Sequence, residues 1–232
     1  MQNATRRAER ASEPYFGLQS ESKIELAVPS VFDHCGGISI AGKVLRSFLF
    51  STDVVVIRNC NADAVLCVYP FMCQASINDA LIKVSDKPVF TGVAGGITTG
   101  LRSVEMALAA QESGAWGIVA NMMTPLETIA QLRNAVDIPL ILTVSVLDDD
   151  TRARIEAGAD IVNVAAGHKT AQQVARFRQE YPNLPIMATS GRHSESALKT
   201  IEAGADALSW TPPSIQDTEH QVMLGHRIRA NA

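Results

Sequence analysis

The residues best suited to chemistry are polar side chains that stand where predicted apolar strands end. Three of them are candidate catalytic residues: Asp53, Asn121 and His168. A carboxylate and an imidazole can exchange protons with a bound molecule near neutral pH. A primary amide inside an apolar strand is costly to bury without a hydrogen-bond partner, and a ligand is one such partner. These residue types indicate acid–base chemistry on a small molecule.

Further polar residues stand at equivalent strand ends and are candidate ligand contacts. They are Tyr69, Thr91, Asn163, Thr189 and Thr211. Parallel strands would bring all of them to one end of a sheet. Simpler interpretations stay open: a threonine inside a barrel can be a hydrogen-bonded filler, Asp53 can cap a following helix, and His168 can be a solvated loop residue.

Other reaction types find less support. A Schiff-base enzyme needs a lysine on a strand, and only Lys169 stands near a strand end. Among the Asp, Glu and His residues only Asp53 and His168 are well placed, so we predict no metal site. No G-x-S-x-G motif indicates a serine hydrolase. Proton transfer is the chemistry that remains.

A repeat reveals the elements that position these residues. The hexapeptide IEAGAD occurs at Ile155–Asp160 and again at Ile201–Asp206. Each copy ends a helical pattern with a glycine and leads into an apolar run, which predicts positive φ angles at Gly158 and Gly204. The distance between the copies fits two strand–helix units. We therefore expect Asp160 and Asp206 at the beginnings of strands, remote from the site.

Extending this unit along the chain predicts eight strands. They are Leu45–Ser51, Ala64–Phe71, Pro88–Gly92, Gly117–Met122, Pro139–Ser145, Asp160–Ala165, Pro185–Thr189 and Ala207–Thr211. Helical patterns between them include Leu101–Ser113, Pro125–Val136, Thr151–Ala157, Thr170–Tyr181 and Ser194–Ala203, with Ser214–Ala230 as the eighth helix. The segment TDVVVIRNCN fits a strand or a short helix. We favour the helix, because a strand there leaves too short a crossover before Ala64.

The predicted fold class is α/β, a (β/α)8 TIM barrel, with an open Rossmann-type sheet as the alternative. Residues 1–22 are predicted to be a polar tail, and residues 23–232 a single barrel domain. Residues 23–44 are predicted to form an N-terminal β-hairpin that turns at Asp33–Gly37 and closes the N-terminal mouth of the barrel.

Composition narrows the possible partners and compartment. The chain has 232 residues, 47% of them hydrophobic, and a net charge of −4 without any basic cluster, so we expect no nucleic-acid partner. No apolar run has the length of a membrane span, and the N-terminus lacks the apolar core of a secretory signal. Four cysteines without metal-ligand spacing indicate reduced thiols in a cytoplasmic protein.

One glycine-rich stretch, PVFTGVAGGITTG, resembles a nucleotide-binding loop only in composition. Its glycines do not follow the G-x-G-x-x-G spacing, and no acidic residue follows at the distance that a ribose requires. We interpret its second part, GVAGGITTG, as the loop after the third strand, with Thr98 and Thr99 as further hydrogen-bond donors to a ligand.

Two segments carry a resemblance to known barrels. ISIAGKVLRSFLFSTD resembles the first unit of thiazole synthase and of FMN-dependent dihydroorotate dehydrogenase-type barrels, and PIMATSGRHSESALKTIEAGADALSW resembles the final units of the phosphate-binding TIM barrels. Residues 43–213 are also similar to a group of small bacterial barrels often labelled hydrolases. The resemblance implies an anion site after strands six to eight, with Gly167, Ser190, Gly191 and Arg192 as its residues.

The chain departs from that family pattern in two places. Ser190-Gly191 stands where a Gly-Gly pair is usual, and Pro212-Pro213 carries no N–H group to donate to an anion. We expect an enzyme that acts on a small phosphorylated or anionic metabolite by isomerase- or lyase-type chemistry. The alternatives are an FMN-binding oxidoreductase and a non-catalytic metabolite sensor. No cofactor is favoured, and the sequence is compatible with a homo-oligomer.

Overall fold

Eight parallel strands form a closed barrel in the computed structural model, which describes residues 18–19, 25–191 and 193–230. The strands are β1 (Ser47–Phe50), β2 (Ala64–Cys67), β3 (Val89–Ala94), β4 (Gly117–Ala120), β5 (Leu140–Val144), β6 (Ile161–Val164), β7 (Ile186–Thr189) and β8 (Ala207–Trp210). β8 pairs with β1, with Trp210 opposite Leu49, and this pairing closes the ring. The predicted (β/α)8 fold is confirmed.

A helix follows every strand. The helices are α1 (Val54–Arg58), α2 (Ala75–Val84), α3 (Gly100–Glu112), α4 (Leu126–Ala135), α5 (Asp149–Glu156), α6 (Thr170–Glu180), α7 (Ser194–Glu202) and α8 (Ile215–Ala230). The helical interpretation of TDVVVIRNCN is confirmed by α1. Among the described residues, no helix combines the length and the apolar character that crossing a bilayer requires.

The strands are apolar on both faces because each face is covered. Alternate residues point into the barrel, where Phe48 and Phe90 pack edge to face with ring centroids 5.3 Å apart. The residues between them, such as Leu49 and Val89, belong to a second cluster that includes the apolar sides of the helices. Burial on both faces explains the continuous apolar runs of the sequence.

An antiparallel hairpin of Ile38–Ile40 and Lys43–Leu45 closes the N-terminal mouth. Its Ile38 and Ile40 side chains join the cluster inside the barrel, and Gly37 N donates to Asp206 O at 2.7 Å. The predicted turn at Asp33–Gly37 is wrong. The chain turns at Ala41 and Gly42, whose φ angles of 46° and 80° suit a tight hairpin turn, while Ser30–His34 forms a 3-10 helix.

The IEAGAD repeat marks equivalent structural positions, as predicted. Gly158 and Gly204 follow helix ends and have φ angles of 135° and 109°. Asp160 Oδ2 accepts the N–H of Leu140 at 2.8 Å, and Asp206 Oδ2 accepts the N–H of Ile186 at 2.7 Å. Each carboxylate thus fixes the beginning of the preceding strand at the N-terminal end of the barrel.

Each of these carboxylates also pairs with an arginine, which lies in the helix before the strand that the carboxylate fixes. Arg133 in α4 pairs with Asp160, and Arg178 in α6 pairs with Asp206 at 2.6 Å. The two copies therefore stabilise the barrel and lie away from the strand ends that carry the candidate site.

Candidate functional site

Four polar side chains from the consecutive strands β5 to β8 line one half of the barrel interior at its C-terminal end. They are Thr143, Asn163, Thr189 and Ser209, and each stands two residues after an interior residue of the barrel core. Asn163 Nδ2 donates to Thr143 Oγ1 at 3.3 Å, and Ser209 Oγ donates to Thr189 Oγ1 at 3.4 Å. We call these four residues the polar ring.

The polar ring contains an acceptor that the described residues leave unsatisfied. Asn163 is 5% exposed, and its Oδ1 atom has no hydrogen-bond donor among them. The Ser190 Oγ atom just beyond β7 is buried and equally without a partner there. A buried polar atom without a partner costs about 1–3 kcal/mol, so at the C-terminal mouth of a barrel such an atom is a candidate contact for a ligand.

Asn121 stands across the mouth, just after β4. It continues the alternation of the interior residue Val119, and it is half-buried. Its Oδ1 accepts the N–H of Met123 at 2.9 Å, and its amide lies so close to Gly95 that a side chain at that glycine would overlap it. The glycine after β3 therefore makes room for Asn121.

Tyr69 and Thr91 lie on the other side of their strands. The Tyr69 hydroxyl donates to Asn78 Oδ1 at 3.2 Å and accepts the N–H of Gln74 at 3.0 Å, so it fixes the start of α2. Burial raises the pKa of the Tyr69 phenol. Thr91 follows the interior residue Phe90 and is fully buried, and its hydroxyl has no partner among the described residues. Neither side chain joins the polar ring.

Asp53 and His168 occupy very different surroundings. Asp53 Oδ1 accepts the N–H groups of Val55 and Val56 at 2.8 and 3.2 Å, which makes Asp53 the N-cap of α1. His168 is exposed in a 3-10 turn, Gly167–Lys169, that leads directly into α6. The Gly167 φ angle of 58° permits this turn. The first N–H groups of such a helical segment lack intrahelical partners and favour an anion.

The loop after β7 lies beside that turn, because β6 and β7 are neighbours. Ser190 N donates to Ser209 O at 3.0 Å, which ties this loop to β8. Gly191 is exposed, and a Cβ atom there would overlap the present position of the Ser196 hydroxyl. Arg192 lies outside the described residues.

The loop after β8 differs from the anion site that the family resemblance implies. Thr211 is exposed at the mouth, and Pro212 and Pro213 have no N–H group. Ser214 Oγ donates to Asp217 Oδ2 at 2.6 Å, so a carboxylate already occupies the start of α8. This loop does not fit a phosphate group such as that of FMN. The described residues that suit an anion are those after β6 and β7.

At the end of the eighth strand the sequence pattern favours Thr211 as the ligand contact, whereas the alternation from the interior residue Ala207 places Ser209 inside the barrel. No group of three His, Cys, Asp or Glu side chains suitable for a metal ion occurs in the part of the chain that the structure describes.

Comparisons with known proteins identify the architecture. No family model and no curated protein matches the chain. Among solved structures, a protein assigned as a phosphonomutase from Burkholderia cenocepacia J2315 is similar at a TM-score of 0.59 and 14% identity, over 80% of this chain and 92% of that one. A protein assigned as a dihydrodipicolinate synthetase from Pseudomonas aeruginosa gives 0.57 and 11%, over 72% and 70%.

Mandelate oxidase, in complex with 3,3-difluoro-2-hydroxy-3-phenylpropionic acid, is similar at a TM-score of 0.61 and 13% identity, over 76% of this chain and 68% of that one. At identities this low, these likenesses show the fold alone. The chain is a TIM barrel.

Proposed function

We propose that this barrel is an enzyme that binds a small anionic metabolite at its C-terminal mouth and acts on it by proton transfer, as an isomerase or a lyase. The observation that carries the proposal is the buried, unpartnered Asn163 Oδ1 atom in the polar ring. A bound ligand that supplies the missing donor would recover the free energy that this unsatisfied acceptor costs, which supports a binding site at this position.

The positions of these residues favour one kind of ligand. A hydroxyl or amine group of the ligand donates to Asn163 Oδ1 and contacts the hydroxyls of the polar ring. Its anionic end lies at the turn Gly167–Lys169 and at Gly191, where helix starts and glycine N–H groups favour negative charge. His168 stands on this side and is the candidate proton donor or acceptor, while Asn121 orients the ligand from the opposite side.

Two of the three barrels of similar fold support this reaction class. They are assigned as a phosphonomutase and a dihydrodipicolinate synthetase, an isomerase and a lyase by name, whereas mandelate oxidase is an oxidoreductase by name. The support is analogy, because one fold hosts many reactions at the same face.

Thermal-shift measurements test binding first. The wild-type protein is screened against sugar phosphates, hydroxy acids without phosphate, and flavins. We expect an anionic ligand that carries a hydroxyl or amine group to raise the melting temperature, because a ligand that binds only the folded state stabilises it. The Asn163→Leu variant should lose this shift. Absence of any shift across the panel, or an undiminished shift in the variant, would contradict the proposed site.

Deuterium exchange tests the reaction. The ligand is incubated with protein in D2O and followed by proton NMR. Proton transfer should replace a carbon-bound hydrogen of the ligand by deuterium, and His168→Gln should slow this exchange about 100-fold while keeping the thermal shift. A binding-only barrel is the second candidate, because the polar ring is neutral and Asp53 serves as a helix cap. Binding without exchange would favour it.

A further inference from the structure

We propose that two copies of this chain associate through an uncharged apolar surface on the C-terminal face. The surface consists of Phe71 and Met72 after β2, Ile97 and Leu101 after β3, and Met123 and Leu126 after β4; we call it the apolar patch. Leu101, Phe71, Met123 and Ile97 are 76%, 71%, 68% and 63% exposed. Because β2, β3 and β4 are neighbours in the barrel, the three loops are adjacent.

The three segments that carry the apolar patch contain no charged residue. They read VYPFMCQ at 68–74, GGITTGL at 95–101 and NMMTPL at 121–126, and the last two reach the first residues of α3 and α4. Exposed loops normally carry charges that keep them in water, and interface centres are depleted in charge. A surface that meets its own copy across a two-fold axis also faces its own charges, so an uncharged centre avoids like-charge repulsion.

Hydrogen bonds hold the apolar patch in one shape. Thr98, which is 2% exposed, accepts the N–H of Cys73 at 3.1 Å through its hydroxyl and the Ser103 hydroxyl at 2.9 Å through its carbonyl. The Gly100 N–H donates to the Thr128 hydroxyl at 3.0 Å. These bonds connect the loop after β3 to the loop after β2 and to α4.

A buried arginine fixes the third loop. Arg154 in α5 is 7% exposed, and its guanidinium donates to the carbonyl of Met122 at 2.6 Å. A rigid loop loses little conformational freedom on association, so exposed apolar side chains on it are preorganised to bind.

The size of the apolar patch favours a protein partner. With roughly 150–200 Å² for a fully exposed side chain of this kind, the six exposed side chains present an area of about 700 Å². The largest apolar patch of a typical monomer covers about 300–600 Å², and each partner of a standard interface buries about 800 Å². Side chains that protrude this far contact a broad surface better than they contact a small molecule in a cleft.

The edge of the apolar patch suits a second copy. Arg102 and Glu127 follow Leu101 and Leu126 directly, and Arg102 pairs with Glu105 of α3 at 3.2 Å, so charges of both signs stand at the rim, where interfaces are commonly polar. The polar ring lies on β5 to β8, across the mouth from these loops. Association through the apolar patch therefore leaves the polar ring open, and the inference does not depend on the proposed function.

Sedimentation velocity of the full chain tests the inference. At about 50 μM the wild-type protein should sediment as a dimer of the 24.9 kDa chain. Leu101→Glu, at the start of α3, and Phe71→Glu, in the loop after β2, should each raise the dimer dissociation constant about 100-fold or more, since each places two like charges in the interface. Leu108→Glu is the matched control, because Leu108 is an exposed leucine of α3 outside the apolar patch.

Circular dichroism melts verify that each variant is folded. If one of the two glutamate variants does not fold, the other one tests the inference. Monomeric glutamate variants beside a dimeric Leu108→Glu protein would support the inference. A wild-type protein that is monomeric at this concentration would overturn the inference. Flotation of that monomer with phosphatidylcholine vesicles would show that the apolar patch binds a lipid surface instead. Glutamate variants that remain dimeric would overturn the inference as well.

Discussion

Two buried asparagines, Asn78 in α2 and Asn163 in β6, differ in how well their amides are satisfied. Asn78 Oδ1 accepts the Tyr69 hydroxyl and its Nδ2 donates to Gly92 O at 3.2 Å, so both ends of the amide are bonded. Asn163 is bonded at one end only, to Thr143. A bonded amide stabilises a core, whereas an unpartnered one weakens it. The first has a structural role in this barrel, and the second is the better candidate for binding.

This contrast predicts that leucine substitutions at the two positions change the free energy of unfolding in opposite directions. Asn163→Leu should raise the free energy of unfolding of the ligand-free protein by about 1–2 kcal/mol, because it removes an unsatisfied buried oxygen. Asn78→Leu should lower it by about 2–4 kcal/mol, because it leaves the Tyr69 hydroxyl and Gly92 O with fewer partners. Urea unfolding followed by circular dichroism measures both. Destabilisation of the same size in both variants would show that Asn163 is an ordinary core residue.

The buried thiol of Cys67 gives a prediction in the alkaline range. Burial raises its pKa from an ordinary value near 9 to about 12. The folded chain keeps the thiol neutral while the unfolded chain ionises it, so this stability is complete below pH 9 and is lost as pH rises towards 12.

The free energy of unfolding should therefore fall between these values, by up to about 1.4 kcal/mol per pH unit from this group. The loss should be smaller in Cys67→Ala, which has no thiol to ionise. Guanidinium titrations at several pH values above 8 measure it. Identical alkaline slopes in the two proteins would show that Cys67 is ionised to the same degree in both states.

At the scale of elements, the glycine of the repeat is constrained both by its backbone conformation and by a neighbouring side chain. Gly204 has a φ angle of 109°, and a Cβ atom there would lie 2.9 Å from Arg178 Cγ, the arginine that pairs with Asp206. Gly114, after α3, has a φ angle of 91° but open space around it, and the exposed Gly36 has neither constraint. The three positions separate backbone strain from steric overlap.

We expect alanine substitutions to follow that order. Gly36→Ala should change the free energy of unfolding by less than about 0.5 kcal/mol, and Gly114→Ala should lower it by about 1–2 kcal/mol through its backbone conformation alone. Gly204→Ala should lower it by about 2–4 kcal/mol, since the displaced arginine adds to the strain. Thermal melts measure the series. Equal effects at Gly114 and Gly204 would mean that the arginine moves aside without cost.

The elements could be predicted from the sequence because their signals are local. Apolar runs, helix caps and the IEAGAD repeat determine seven strands within the predicted ranges. β3 extends beyond its range, to Ala94, because a β-bulge between Gly92 and Ala94 shifts its register with β4. The hairpin turn lies at Ala41 and Gly42 and not at the predicted Asp33–Gly37. Ala41 adopts a positive φ angle, and an alanine does not signal this.

The site could be predicted only in part, because it depends on which face of a strand a residue occupies. Asn163 and Thr189 share the interior face, whereas Tyr69 and Thr91 stand at similar strand ends on the outer face. A short apolar run that is buried on both sides carries no alternation to distinguish them. Asp53 fits both a cap and a base in sequence, and only its distances to Val55 N and Val56 N assign it to the cap.

At the scale of the whole molecule, closure of the barrel depends on β8 and not on the helix after it. β8 bonds to β7 on one side and to β1 on the other. Of the α8 side chains that the structure describes, Thr218 is the buried one, while Met223 and Leu224 are half exposed. The 3-10 helix Ser30–His34, with the buried Phe32, packs against α7 on this side of the barrel. The N-terminal segment thus covers part of the outer surface of the barrel that the eighth helix would otherwise cover.

Two truncations test this division. A chain that ends at Ser214 should melt cooperatively within about 5 °C of the full chain, because it loses little buried apolar surface. A chain that ends at Asp206 should show no cooperative melt, because removal of β8 leaves β1 and β7 with unpaired edges and exposes the interior residue Phe48 to water. Scanning calorimetry distinguishes the two outcomes. Loss of the cooperative transition in the longer chain would show that α8 covers the barrel after all, and the exposed Met223 and Leu224 would then need another explanation.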